Sequence, residues 1–188
     1  SEEAFAQMMT REAQRLGMTG TQYRNANGLT EEGHHTTARD LSLLARALIR
    51  DFPEFYPLYS TLDYTYNNIK QGNRNRLLTL DPSVDGLKTG FTDAAGWCLV
   101  SSAKRDGRRV VSVLLGAPDE SGRVESSRTL INYTFNAYEN AKIATAGESL
   151  GQPAVYKGAA ASVVIGPGSD VALTLPRGEA AKVTRELS

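Results

Sequence analysis

Two apolar runs, Trp97 to Ala103 and Val110 to Leu115, flank a polar stretch that contains Asp106-Gly107. An Asp-Gly pair accepts the positive φ angles of a tight hairpin turn, so the two runs are predicted to be antiparallel strands. A lone ribbon is marginal in water and needs another strand and a covering layer. The stretch around Lys88 is the candidate third strand. Between Ser121 and Ala141, Val124, Ser127, Ile131, Phe135 and Tyr138 recur every three or four residues, which predicts a helix over such a sheet. Ser1 is placed to cap a helix carrying Phe5, Met8, Met9, Ala13 and Leu16 that ends near Gly17 or Gly20. Thr37 and Asp40 have capping-box spacing ahead of the stripe Leu41, Leu44, Ala45, Leu48 and Ile49, which stops near Asp51 or Pro53. Thr61 to Leu80, rich in Tyr and Asn, reads as short strands or an extended connection. Beyond Thr145, Val163 to Ile165 and Val171 to Leu175 are separated by Gly166-Pro167-Gly168, the pattern of a small β module. The expected fold class is therefore α/β in the α+β sense, an antiparallel sheet flanked by helices over residues 1–142. The start of a small all-β domain follows over 143–188, too short to be complete.

Charge removes several function classes. The 188 residues carry 21 basic and 21 acidic side chains, so no nucleic-acid partner is expected. No apolar run is long enough to span a bilayer, and Ser1-Glu2-Glu3 is unlike a signal peptide. The single Cys98 reads as a small buried strand residue, and the adjacent His34 and His35 as solvated loop residues too few for a zinc site. A phosphate-binding loop requires Gly directly before the Lys of Lys88-Thr89 and again five residues earlier, where Leu87 and Pro82 stand. The Gly-x-Ser-x-Gly elbow of a Ser-His-Asp hydrolase is absent.

Lys88-Thr89-Gly90 is the sharpest remaining signal. On a strand edge, Gly90 permits close backbone approach, Lys88 supplies a fixed positive charge, and the Thr89 hydroxyl can bind a carboxylate. In the longer run Val84-Asp85-Gly86-Leu87-Lys88-Thr89-Gly90-Phe91-Thr92-Asp93-Ala94-Ala95-Gly96 the chain resembles the third motif of the serine D-alanyl-D-alanine carboxypeptidases, the low-molecular-mass penicillin-binding proteins. Asn27-Gly28-Leu29, Thr37-Ala38-Arg39-Asp40, Asn73-Arg74-Asn75 and Leu175-Pro176-Arg177-Gly178 are similar to segments of that family in the same order. The resemblance covers roughly residues 1 to 178 and implies a partial penicillin-binding/β-lactamase-like transpeptidase fold.

In that family a Ser-x-x-Lys pair on a helix and a Ser-x-Asn on a loop converge with Lys-Thr-Gly. Only the third motif is clear here. Ser101-Ser102-Ala103-Lys104 has the first motif's spacing but lies on a predicted strand, where i and i+3 face opposite ways. No Ser-x-Asn occurs, and the missing motifs are expected upstream of Ser1. The resemblance implies a catalytic role for Lys88 and substrate-binding roles for Thr89, Gly90, Phe91 and Thr92, with Arg123 of Gly122-Arg123 as the carboxylate-binding cation and Arg74 as a second candidate. The implied reaction is hydrolysis of the terminal D-Ala-D-Ala bond of peptidoglycan stem peptides through a serine acyl-enzyme, with β-lactams as pseudo-substrates and no metal or cofactor. The implied setting is periplasmic or otherwise extracytoplasmic, with anchoring through a C-terminal segment beyond these residues, and the implied partner is an N-terminal catalytic segment bearing the serine motifs. A class A β-lactamase relative and a non-catalytic peptidoglycan-binding module are the alternatives.

Overall fold

The computed structural model describes residues 1–186, which form two compact units, residues 1–132 and those from Tyr133 onward. In the first unit, helix α1 spans Glu2–Arg15, with Ser1 Oγ accepting from Ala4 N at 3.3 Å and acidic Glu2 and Glu3 in its first turn. It ends where expected, Gly17 taking a φ of +82° after Leu16. Helix α2, Ala38–Asp51, is capped by Thr37, whose Oγ1 accepts from Asp40 N at 3.1 Å. Asp40 does more than favour a helix start. Its buried carboxylate accepts from Gly20 N at 2.8 Å and Thr21 Oγ1 at 2.6 Å, tying the loop after α1 to α2.

A 3-10 turn at Tyr56–Ser60 leads into the hairpin of β1, Asp63–Tyr66, and β2, Ile69–Gly72, with Asn67 and Asn68 supplying the positive-φ turn. The expectation of short strands or extended chain up to Leu80 needs one correction, because Leu77–Leu80 is a single helical turn, α3. One turn is too short to show in hydrophobic spacing. It forms because the buried Asn75 Oδ1 accepts from Leu77 N at 3.2 Å and Leu77 itself is fully buried.

The sheet has the order β3-β4-β5, from β3, Val84–Thr92, through β4, Gly96–Arg105, to β5, Arg108–Ala117, all antiparallel. Asp106 and Gly107 turn with φ of 49° and 77°. On one face Leu87, Val100 and Val111 pack with Ala45, Leu48 and Ile49 of α2 and with Tyr56. Helix α4, Glu120–Ala137, buries Val124, Ser127, Ile131 and Phe135 as its spacing predicts. It stops short of Tyr138, the next position of the helical spacing. Tyr138 instead opens β6, Tyr138–Ala144, because that segment pairs with β7, Val171–Pro176, from Tyr138↔Pro176 to Ala144↔Val171. The two units therefore part inside α4, upstream of the composition change at residue 143. In the second unit Gly151↔Ile165 and Ala154↔Ser162 make isolated bridges, so Val163 to Ile165 contributes a bridge and not a strand.

Candidate functional site

β3 is an outer strand of its sheet, and the Lys88-Thr89-Gly90 run lies along it. Its start is held from behind. Asp85 accepts from Tyr56 Oη at 3.0 Å and from Arg109 Nη1 at 2.7 Å, Arg109 Nη2 adds a second contact at 2.7 Å to the other oxygen, and Arg109 also donates to Ser102 Oγ. Asp85 raises the basicity of Arg109, while burial first and Asp85 second push the Tyr56 phenol up to about 12. Gly86 has to be glycine here, since a Cβ would stand 2.7 Å from Tyr56 Oη. Asn73-Arg74-Asn75 explains itself geometrically. Asn73 Nδ2 donates to Thr61 O at 3.0 Å, its Oδ1 accepts from Asn75 N at 2.9 Å, and Asn75 Nδ2 donates to Gly86 O at 3.1 Å. Both asparagines thus lock a loop against β3 and leave Arg74 between them facing a cleft.

That cleft has a volume of about 750 Å³ and brings together Lys88, Thr89, Gly90, Phe91, Thr92, Arg74 and Arg123, all seven residues singled out from the sequence. Lys88 is exposed and donates to its neighbour's carbonyl, Thr89 O, at 2.5 Å. Thr92 Oγ1 accepts from Ala95 N at 3.0 Å and so closes the β3–β4 turn as well as lining the cleft. Arg123 comes from the first turns of α4 and is 3 % exposed. Its Nη2 donates to Glu120 Oε1 at 3.2 Å and to Arg74 O at 3.4 Å, and its buried Nε has no partner. A guanidinium so buried with one acidic neighbour is under-neutralised.

Residues not expected at the site also line the cleft. The loop Asn27, Gly28, Leu29 lines the cleft, held by Asn25 Nδ2 donating to Leu29 O at 3.0 Å and Asn25 Oδ1 accepting from Gly28 N at 2.9 Å. Glu120 and Trp97 also line it, and the Arg123 guanidinium lies 4.9 Å from the centre of the Trp97 ring. Trp97 could have been found from the short turn after Thr92, which sets it opposite Phe91, whereas Glu120 carries no sequence signal. Cys98 corrects the buried-residue expectation. It is half-buried and lines the cleft, because Gly90 opposite it has no side chain to cover it. Ser101, by contrast, is wholly buried on β4 and Lys104 exposed, so Ser101-x-x-Lys104 forms no site. His34 is half-buried edge-on to Tyr23, with centroids 5.6 Å apart, and among the described residues no cluster of metal ligands exists. A smaller apolar groove of about 320 Å³ adjoins the cleft, sharing Lys88, Thr89, Gly90 and Cys98 and lined from α2 by Leu41, Leu44 and Leu48.

An antiparallel sheet whose outer strand carries Lys-Thr-Gly above a buried arginine defines a partial penicillin-binding fold, joined here to part of a small β domain. Its solved counterparts include penicillin-binding protein 5 from Haemophilus influenzae, with a TM-score of 0.88 at 36 % identity over 95 % of this chain and 53 % of that one. Penicillin-binding protein D2 from Listeria monocytogenes in its cefotaxime-bound form has a TM-score of 0.65 at 36 % identity, covering 70 % of this chain and 55 % of that one. The family profile described as D-alanyl-D-alanine carboxypeptidase matches residues 1–119, and that of the penicillin-binding protein 5 C-terminal domain matches 138–188. The chain belongs to the D-alanyl-D-alanine carboxypeptidase family. It is 38 % identical over 180 residues to the D-alanyl-D-alanine carboxypeptidase DacC of Escherichia coli strain K12, covering 95 % of this chain and 45 % of that protein. It is 36 % identical to DacA of Haemophilus influenzae, covering 95 % and 46 %. The chain thus spans about half the length of the relatives it matches.

Proposed function

We propose that this chain supplies the Lys-Thr-Gly wall and the carboxylate-binding arginine of a serine-type carboxypeptidase that removes the terminal D-Ala from peptidoglycan stem peptides ending in D-Ala-D-Ala. The observation that carries this reading is the convergence of Lys88, Thr89, Arg74 and Arg123 on one cleft beside an outer strand. The peptide lies along β3 as an added strand, Gly90 allowing the close approach. Its free carboxylate meets the Thr89 hydroxyl and the Arg123 fork, with Arg74 at the rim. The nucleophilic serine comes from a part of the protein outside these 188 residues, which bears the Ser-x-x-Lys and Ser-x-Asn motifs and seats against the groove shared by Lys88 and α2. The serine oxygen attacks the penultimate D-Ala carbonyl, its proton passes to a neighbouring base and then to the leaving D-Ala amine, and water cleaves the acyl-enzyme. The Lys88 ammonium stabilises negative charge near the serines, and the Phe91 N–H serves as one oxyanion donor, the serine N–H being the other. β-Lactams enter as pseudo-substrates that acylate the same serine. The first unit belongs on this reading to the catalytic domain and the second to the small β domain, its boundary moved upstream of residue 143 so that β6 stays whole, both working outside the cytoplasmic membrane with an anchor further downstream. Among the described residues no helix is long and apolar enough to cross a membrane.

Labelling with a fluorescent penicillin, read on a denaturing gel with an intact mass, tests this directly. The expected result is a covalent adduct on the longer polypeptide that includes this chain and none on the 188 residues alone. An adduct on the 188 residues overturns the division of labour, and no adduct on either favours a non-catalytic peptidoglycan-binding module.

A further inference from the structure

The Arg123 guanidinium is poorly held by its polar contacts. Of its five N–H donors, those on Nη2 reach Glu120 Oε1 at 3.2 Å and a backbone carbonyl at 3.4 Å, both long, and the buried Nε reaches nothing. Arg123 is nevertheless 3 % exposed, so its orientation comes from packing. What packs there is a ring: the guanidinium carbon lies 4.9 Å from the centre of Trp97, within the range where the negative face of an indole attracts a cation. Trp97 is itself fixed. It sits on β4 directly opposite Phe91, the residue after Lys88-Thr89-Gly90, and the two rings lie 4.5 Å apart at 37°.

We infer that Trp97 is a positioning residue of the cleft, its π-face holding the Arg123 guanidinium oriented so that its unused N–H groups meet a ligand carboxylate. This inference rests on the reading of Arg123 as the carboxylate anchor. The coupling runs from the strand to the helix. Whatever shifts the end of β3, where Phe91 sits, moves Trp97 and with it the cation on α4. A solvated surface arginine needs no such arrangement. A desolvated one with a single acidic contact does, because the ring lowers the cost of keeping the charge out of water without consuming a hydrogen-bond donor. Ligand recognition then draws on donors that the fold has left free.

Trp97 is the only tryptophan among the 188 residues, which permits a test that changes charge distribution without changing shape. Biosynthetic replacement with mono-, di- and tetrafluorinated tryptophan withdraws electron density from the Trp97 face alone. Affinities of the 188-residue chain for N-acetyl-D-alanyl-D-alanine and for its C-terminal amide are read by NMR titration on the Gly90 amide. The preference for carboxylate over amide is expected to fall stepwise with fluorination, by about threefold or more at the tetrafluoro stage, while amide affinity holds. Trp97→Leu should lose the preference further and Trp97→Phe recover part of it. A preference that is flat across the fluorinated series, or carboxylate and amide affinities falling together, overturns the role of Trp97. If the unmodified chain shows no carboxylate preference, or Arg123→Gln leaves that preference intact, the anchor reading itself fails and the inference fails with it.

Discussion

The two ends of β3 treat their charges in opposite ways. At the start, Asp85 and Arg109 share a bidentate pair, and Tyr56 and Ser102 complete it on the protected side of the sheet. From the middle of the strand toward its other end, Lys88 bonds a neighbouring carbonyl and Arg123, reaching the same cleft from α4, keeps a buried, unpartnered Nε. The contrast teaches how to separate polar groups that hold a fold from those left able to meet a ligand. The first are satisfied by the chain itself, and the second are left short of partners at a cost in stability, as expected of functional positions.

Breaking the satisfied end should cost most. Asp85→Asn removes the counter-charge of a partly buried arginine and is expected to lower stability by about 2 to 3 kcal/mol in urea unfolding, less than a fully buried pair because solvent still reaches it. Gly86→Ala drives a methyl to 2.7 Å from Tyr56 Oη and should cost about 1 to 3 kcal/mol, with Tyr56→Phe relieving most of the clash because the nearest ring carbon stands at 3.3 Å. The Tyr56 hydroxyl gives a pH handle. Its folded pKa lies above the ordinary tyrosine value of 10.0, at about 12, so the folded state favours the neutral phenol. That contribution is whole below pH 10 and lost as pH rises toward 12, and urea midpoints across this window should fall more steeply in the natural chain than in Tyr56→Phe. A parallel fall in both refutes it.

The under-partnered end should answer differently. In the longer polypeptide Lys88→Ala is expected to cut penicillin acylation by about a hundredfold or more, and in the 188-residue chain to move stability by no more than about 0.5 kcal/mol. Smallest of all is the effect of Arg123→Met. Replacing a poorly compensated buried cation with an apolar side chain should leave stability unchanged or raise it by about 1 kcal/mol, while turnover of D-Ala-D-Ala peptides falls more than β-lactam acylation. A loss of stability as large as that of Asp85→Asn would place Arg123 among the structural pins and erase the contrast.

Much of this molecule is legible in the residue order. The β4–β5 hairpin follows from Asp106-Gly107 and two apolar runs, and α1 and α2 from caps and three-to-four spacing, because those signals are local. The cleft's seven expected residues follow from the Lys-Thr-Gly run and its family setting. What escaped depends on partners distant in sequence. Tyr138 keeps helical spacing yet joins a strand, since Pro176 and its neighbours offer a ladder that local preference cannot foresee. Cys98 is uncovered by a glycine on another strand, and Trp97 acquires its role only once α4 carries Arg123 over its ring.

The outer position of β3 has a colloidal consequence. A strand edge left open for a peptide is equally open to the edge of a second copy, and protein sheets commonly guard such edges with lysine. Two copies pairing antiparallel about Lys88-Thr89 would set their ammonium groups close together, like charges facing across the new ladder. On that ground Lys88→Ala, which removes the repelling charge from the edge, should show concentration-dependent growth in light-scattering mass.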